Sequence, residues 1–201
     1  MLFDKITIIG IGLIGSSLAR VIMKKGLAGK LCACDKNKEY LAEARELGIV
    51  DEISEDLGKA VENADLVVYA TPVGAYGEIT RQIVPHLKKG VILTDVGSIK
   101  KYSIRKIEEN LPENADVVVV PGHPVAGTEK SGPANGFDTL FEGRWYIVTP
   151  SFRSTEEAVA KVSELWAAAR MKVDKMTPEH HDKVMAAVSH LPHLIAFSIV
   201  G

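Results

Sequence analysis

The stretch from Lys5 to Lys25 constrains this chain more than any other. A β-branched run, Lys5-Ile-Thr-Ile-Ile9, leads into Gly10-Ile-Gly12-Leu-Ile-Gly15 and on into Ser16-Ser-Leu-Ala-Arg-Val-Ile-Met-Lys-Lys25. Leu13, Ile14, Leu18, Val21 and Ile22 repeat at helical spacing, so the order is strand, glycine turn, helix. Gly10 suits a tight turn, Gly12 allows a pyrophosphate to approach the backbone, and Gly15 lets the helix pack on the strand. The N–H groups at the helix start, with about half a positive charge from the dipole, would face phosphates. A second strand, Lys30-Leu-Cys-Ala-Cys34, ends in Asp35, twenty residues past Gly15. That is where an acid meets the ribose hydroxyls of a dinucleotide. A plain packing turn and a surface Asp would use the same residue types, but motif and context agree on the dinucleotide.

Asp35 also bears on cofactor choice. A carboxylate about 4 Å from a 2′-phosphate is repelled by roughly 4 kcal/mol at an effective dielectric of about 20. Half of that, about 2 kcal/mol, is still more than a tenfold preference. Lys36 and Lys38 soften the repulsion, and the expectation is NAD rather than NADP.

The chain has 201 residues, room for one large domain or a domain plus a fragment. A net charge of −2 gives no electrostatic case for nucleic acid or an anionic membrane as partner. No apolar run reaches the length of a membrane span. A strand begins almost at the amino terminus, which leaves no room for a signal peptide. The two cysteines, Cys32 and Cys34, stand two apart on one strand, a poor disulfide pair without partners for zinc. They read as reduced core residues of a cytoplasmic protein, and no metal is expected.

Further along, Lys38–Leu47 reads as a helix stopped by Gly48, and residues 51–63 as a short strand or loop and a short helix. Leu66-Val-Val-Tyr-Ala70 and Val91-Ile-Leu-Thr-Asp95 read as strands covered on both faces. A helix after Thr71-Pro72-Val73-Gly74 should run to about Leu87, and another over Ile99–Glu109 should precede a strand at Asp116–Val120. This alternation predicts an α/β fold, a Rossmann-type doubly wound, mostly parallel sheet with helices on both faces. The glycine loop, Asp35, Thr71-Pro72, Gly97-Ser98 and Gly122-His123 then share the carboxyl rim where ligands bind. Taken singly, Thr71 and Ser98 serve equally well as helix caps.

After Val120 the pattern breaks. Pro121–Gly132 is too rich in Gly and Pro for an element interior, and an irregular stretch is expected to about Gly143, with His123, Thr128, Glu129, Lys130 and Ser131 as its polar set. A strand at Arg144–Thr149, a helix at Thr155–Arg170 and a short strand at Lys172–Lys175 follow. Thr177-Pro178 is a helix start. His180, His181, His190 and His193 lie beyond it, with a kink or break expected at Pro192. His180 and His181, adjacent on a helix, point in different directions and read as surface or partly buried groups. The apolar run Leu194–Val200 needs a covering surface, from a missing part of the protein or a second copy. The chain therefore reads as truncated, with division into 1–176 and a helical segment 177–201.

Gly122-His-Pro-Val-Ala-Gly-Thr-Glu-Lys-Ser-Gly132, together with Asp95-Val-Gly-Ser-Ile-Lys100 and Ser189-His-Leu-Pro-His193, closely resembles the prephenate and arogenate dehydrogenases of tyrosine biosynthesis. The resemblance runs in order from the glycine loop to the last helix. It implies a Rossmann domain followed by an all-helical domain that builds a homodimer. It also implies oxidative decarboxylation of prephenate to 4-hydroxyphenylpyruvate, or of arogenate to tyrosine. His123 matches the catalytic histidine, which accepts a hydrogen bond from the substrate's ring hydroxyl, and Ser98 a serine near that histidine and the nicotinamide. Thr128 and Glu129 match positions at the substrate entrance. His193 matches a histidine near the substrate, which His190 supports. The family's substrate-binding arginine would fall beyond Gly201.

The residue types suit that chemistry on their own terms. Losing hydride from a carbinol carbon obliges the hydroxyl to lose its proton, and a neutral imidazole is a suitable acceptor at neutral pH. The cofactor-binding candidates are Gly10, Gly12, Leu13, Ile14, Gly15, Asp35, Thr71, Pro72 and Gly97. Two other readings compete. One is a hydroxy-acid dehydrogenase of related layout, for which the usual catalytic lysine motif is missing. The other is a nucleotide-binding module without turnover.

Overall fold

A computed structural model describes residues 1–187. Six parallel strands form the main sheet in the order β3-β2-β1-β4-β5-β6. They are β1 (Phe3–Ile9), β2 (Ala28–Cys34), β3 (Glu52–Ser54), β4 (Leu66–Tyr69), β5 (Val91–Asp95) and β6 (Val117–Val119). The crossovers are helices α1 (Leu13–Lys25), α2 (Lys38–Glu46), α3 (Leu57–Val61), α4 (Tyr76–Ile83) and α5 (Lys100–Glu108). The order reverses between β1 and β4, and a doubly wound sheet opens its ligand crevice at such a switch point.

Both faces are covered, and β4 and β5 are buried along their whole length. Ile6 and Ile8 pack on one side with Leu18, Ile22 and Trp166, while Ile9, Val67, Tyr69 and Leu93 pack on the other with Ile79, Ile83 and Ile107. Cys32 and Cys34 are free and buried in the second cluster. Burial pushes their thiols up to about 11 and about 12, which withholds the nucleophilic thiolate at neutral pH. The helix expected to reach Leu87 ends at Ile83 and continues only as a 3-10 turn, Val84–His86. Pro85 has no N–H to extend the ladder.

A second sheet has the order β7-β8-β9, from β7 (Gly122–Pro124), β8 (Trp145–Val148) and β9 (Lys172–Lys175), with α6 (Glu156–Ala168) before β9. Here the sequence expectation needs correction. The start of the Gly- and Pro-rich stretch is a strand, and His123 sits in it, pairing opposite Ile147. Pro124 is tolerated because β7 is an edge strand. The rest of the stretch is irregular but fastened to α1. Phe137 donates its N–H to Ser17 Oγ at 3.1 Å, and the Arg20 guanidinium donates to the Pro133 carbonyl.

Trp166 of α6 is fully buried. It stacks on Tyr146 at 4.6 Å and meets Phe141 edge-on at 5.1 Å. Helix α7 (Pro178–Met185) begins as the Thr-Pro pair predicts, with Thr177 Oγ1 accepting the His180 N–H. His190, Pro192, His193 and the apolar run 194–200 lie outside the described residues. Among the described residues no helix is long and apolar enough to cross a membrane.

Removing the indole should leave a large cavity under β8. Trp166→Ala is expected to lower unfolding free energy by about 3–5 kcal/mol, read from the urea midpoint at unchanged m-value.

Candidate active site

The crevice above β1 and β4 is a glycine cradle. Gly10 has φ +97°, and a Cβ there would lie 2.5 Å from the Ala70 carbonyl oxygen. A Cβ on Gly15 would lie 2.0 Å from the Gly10 oxygen, so these two glycines serve the chain's own packing. Gly12 is different: a Cβ there meets nothing within 4 Å. It caps α1 without any side-chain bond to the helix start, and no acid stands in the first turn. Leu13 and Ile14 are half-buried beside it. Open space in front of an uncapped helix start fits a phosphate.

Asp35 stands at the end of β2 as its spacing requires. Its Oδ2 accepts the Ile11 N–H at 2.8 Å, and its Oδ1 accepts the Asn37 N–H at 2.9 Å. The carboxylate thus braces the glycine loop while keeping acceptor capacity on both oxygens. Thr71, at the end of β4, faces Gly10, and its Oγ1 is buried without a partner, a polar atom that a dinucleotide's hydroxyl or phosphate suits. Pro72 is exposed at the start of the following turn. These residues fit a dinucleotide.

The end of β5 carries a buried ion pair that sequence reasoning missed. Asp95 and Lys100 are both fully buried, with Lys100 Nζ 2.6 Å from Asp95 Oδ2. Burial draws the Lys100 pKa down, and Asp95 opposes the shift. Asp95 also accepts the N–H groups of Gly97 at 3.0 Å and Gly122 at 3.2 Å, and Lys100 Nζ donates to the Gly122 carbonyl at 2.6 Å. The pair thus joins the Gly97-Ser98 turn to the first residue of β7. Its residues lie within the Asp95–Lys100 block, but nothing in the spacing reveals that both side chains turn inward.

His123 is 9% exposed. Its Nδ1 lies 2.9 Å from Nε2 of His181, whose Nδ1 lies 2.9 Å from Asp182 Oδ1. Asp182 also accepts the N–H groups of Lys100 at 2.8 Å and Lys101 at 3.0 Å. Burial lowers the His181 pKa against the opposing pull of Asp182. Burial alone would raise Asp182, but the Lys100 N–H, the His181 ring and the Lys101 N–H outweigh it and hold the carboxyl below its usual range. Reading His181 as a surface or partly buried group was therefore wrong. The side chain is fully buried, because α7 docks on α5 and turns that face inward, while His180 stays exposed.

Neither Thr71 nor Ser98 caps a following helix. Pro72 and Ile99 occupy those positions without side-chain caps, and the start of α5 is capped by Asp182 instead. Ser98 is exposed on the Gly97 turn. Thr128 and Glu129 are exposed, with Thr128 Oγ1 accepting the Lys130 N–H of its own turn. The structure thus gathers the glycine cradle, Asp35 and Thr71 at one crevice and ties Gly97 to the His123 strand. It leaves Thr128 and Glu129 in an exposed turn. His190 and His193 lie outside the described residues. Among the described residues no group of three or more His, Cys, Asp or Glu is placed to hold a metal.

Comparison with known proteins gives a consistent picture. Residues 18–175 match the family described as prephenate dehydrogenase, nucleotide-binding domain, and residues 177–201 match the prephenate dehydrogenase dimerization domain. The chain is 40% identical to a cyclohexadienyl dehydrogenase of Zymomonas mobilis, over 99% of this chain and 67% of that protein. It is 33% identical to a prephenate dehydrogenase of Bacillus subtilis, over 98% of this chain and 53% of the relative. It therefore spans two thirds of the first relative's length and about half of the second's. A crystal structure of prephenate dehydrogenase from Aquifex aeolicus, in complex with hydroxyphenyl propionate and NAD+, superposes with a TM-score of 0.89 at 34% identity, covering 98% of this chain and 68% of that one. Synechocystis arogenate dehydrogenase superposes with a TM-score of 0.87 at 28% identity, again covering 98% and 68%.

Two substitutions separate the roles at this site. Gly12→Ala adds a methyl into open space, so it should cost at most about 1 kcal/mol of stability. It should weaken dinucleotide binding at least tenfold, or about 1.4 kcal/mol, by calorimetric titration. Lys100→Met strands the Asp95 carboxylate and should cost about 3–5 kcal/mol in denaturant unfolding. Adding Asp95→Asn to the same chain should restore part of that loss.

Proposed function

The chain belongs to the prephenate dehydrogenase family, and from that premise we propose that it serves NAD-dependent oxidative decarboxylation of prephenate to 4-hydroxyphenylpyruvate. The observation that carries this reading is His123, a buried imidazole on a fixed strand, fastened through Gly122 and Asp95 to the turn at the cofactor crevice. Gly10, Gly12, Leu13, Ile14, Gly15, Asp35, Thr71, Pro72 and Gly97 would hold the dinucleotide, and Ser98 would stand beside the nicotinamide. When bound, NAD supplies the hydride acceptor. His123 takes the proton of the ring hydroxyl as that carbon is oxidised. Loss of CO₂ then returns the bond electrons to the ring, and the oxygen regains a proton to become the phenol. Positioned proton transfer of this kind is worth roughly 10²–10⁴ in rate.

Thr128 and Glu129 would line the substrate entrance, and His190 and His193 would reach the substrate from the segment after α7. Residues 177–201 match a dimerization domain, which supports a homodimer and a division into 1–176 and 177–201. We assign the protein to the cytoplasm, the setting its free core cysteines suit. Turnover of arogenate to tyrosine is the second reading, favoured by the likeness to the Synechocystis enzyme. Assaying prephenate, arogenate and a simple 3-hydroxy acid side by side decides between them, and activity on the 3-hydroxy acid alone would overturn both.

His123→Asn in the intact enzyme is expected to lower kcat by about 100-fold or more with little change in KM; normal turnover would remove the histidine from this role. NADP should bind more than about tenfold less tightly than NAD, because Asp35 repels its extra phosphate.

A further inference from the structure

We propose that His181 and Asp182, on α7, are positioning residues that fix the tautomer of His123 so that Nε2 bears the lone pair that takes the substrate proton. The inference rests on His123 being the base in the reaction proposed above.

The argument follows the hydrogens along the chain of contacts. Asp182 accepts three N–H groups: Lys100, Lys101 and the Nδ1–H of His181. An ionised carboxylate has no hydrogen to give, so the proton between it and His181 sits on His181 Nδ1. A neutral imidazole with Nδ1 protonated carries its lone pair on Nε2. His181 is fully buried and burial disfavours its cation. Among the described residues the charged groups that act on it are Asp182 from its own helix, Lys100 from α5 and Asp95 from β5, with His123 from β7 against its ring. The hydrogen in the 2.9 Å contact between the two rings therefore belongs to His123 Nδ1. Nε2 of His123 then carries the ring's lone pair. The partner of one ring nitrogen decides the state of the other, and a catalytic histidine held in the wrong tautomer loses most of its rate.

The test uses the intact protein with ¹⁵N-labelled histidine, with the His123 resonances assigned by their loss in His123→Asn. In the wild type, His123 should show a protonated Nδ1 and an unprotonated Nε2 at neutral pH. His181→Leu removes the acceptor, so the His123 population should move toward Nε2–H. Its kcat should fall about 10–100-fold at unchanged KM, the scale seen when the orienting partners of metal-bound histidines are removed. His181→Gln can still accept from His123 Nδ1–H and donate to Asp182. It should keep the wild-type tautomer and recover most of the lost kcat, and it serves should the leucine variant not fold. A wild-type spectrum with Nε2–H, or a tautomer unmoved in His181→Leu, overturns the proposal. The spectra are read without substrate. Expected tautomers in a protein that turns over neither prephenate nor arogenate would overturn the functional reading and leave the relay standing.

Discussion

Asp95 has no access to water, so its carboxylate must find its donors within the chain itself. Lys100 Nζ and the N–H groups of Gly97 and Gly122 supply them. Those three donors come from α5, from the turn after β5 and from the first residue of the second sheet. One buried carboxylate thereby fixes the mutual placement of the elements that carry Ser98 and His123. A buried ion pair of this kind adds little net stability, yet breaking it is costly. Its consequence here is geometric: the turn at the cofactor crevice and the histidine strand cannot drift apart without stranding a charge.

The same strand is held from below by the core. A Cβ on Gly122 would lie 1.9 Å from the Tyr146 hydroxyl oxygen, so β7 rests directly on that ring. Tyr146 in turn stacks on Trp166, and Phe141 closes the edge of the indole. Packing of α6 against β8 is thus transmitted to the backbone of His123 through two aromatic rings. A side chain built on a supported strand holds its geometry better than one on a loop. This explains how a stretch so rich in Gly and Pro yields a defined position for its histidine.

What the sequence made legible follows from where the information lies. Strand, glycine turn, helix and the acid twenty residues on are local features, and the six-stranded sheet, the cradle and the brace from Asp35 follow from them. His123 was singled out by its motif. Its strand was not, because β7 exists only through pairing with β8, more than twenty residues later in the chain. His181 and Asp182 were missed for the same reason, and the Asp95–Lys100 pair, only five residues apart, because spacing does not show that both side chains turn inward. His181 and Asp182 look like ordinary surface residues until α5 and α7 come together. The adjacent His and Asp at the start of α7 were visible, but the direction in which they face is a tertiary fact. For Ser98 and Thr71 local rules leave capping as an equal alternative, and the structure puts Ile99 and Pro72 in the cap positions instead.

Where the cap of α5 lies has the widest consequence. Ile99 offers the helix start no side-chain acceptor, so the first N–H groups of α5 need one from outside. Asp182 supplies it from α7, eighty-two positions along the chain from Lys100. A negative charge at a helix start is favoured by the helix dipole as well as by the hydrogen bonds. The oxygen that accepts the Lys100 N–H also meets the His181 ring. Seating α7 on α5 and ordering the two histidines are therefore one event, since either requires the Asp182 carboxylate in the same place. Lys100 closes the circuit: its backbone binds Asp182 while its side chain binds Asp95. The two carboxylates that organise this end of the molecule share a single residue between them.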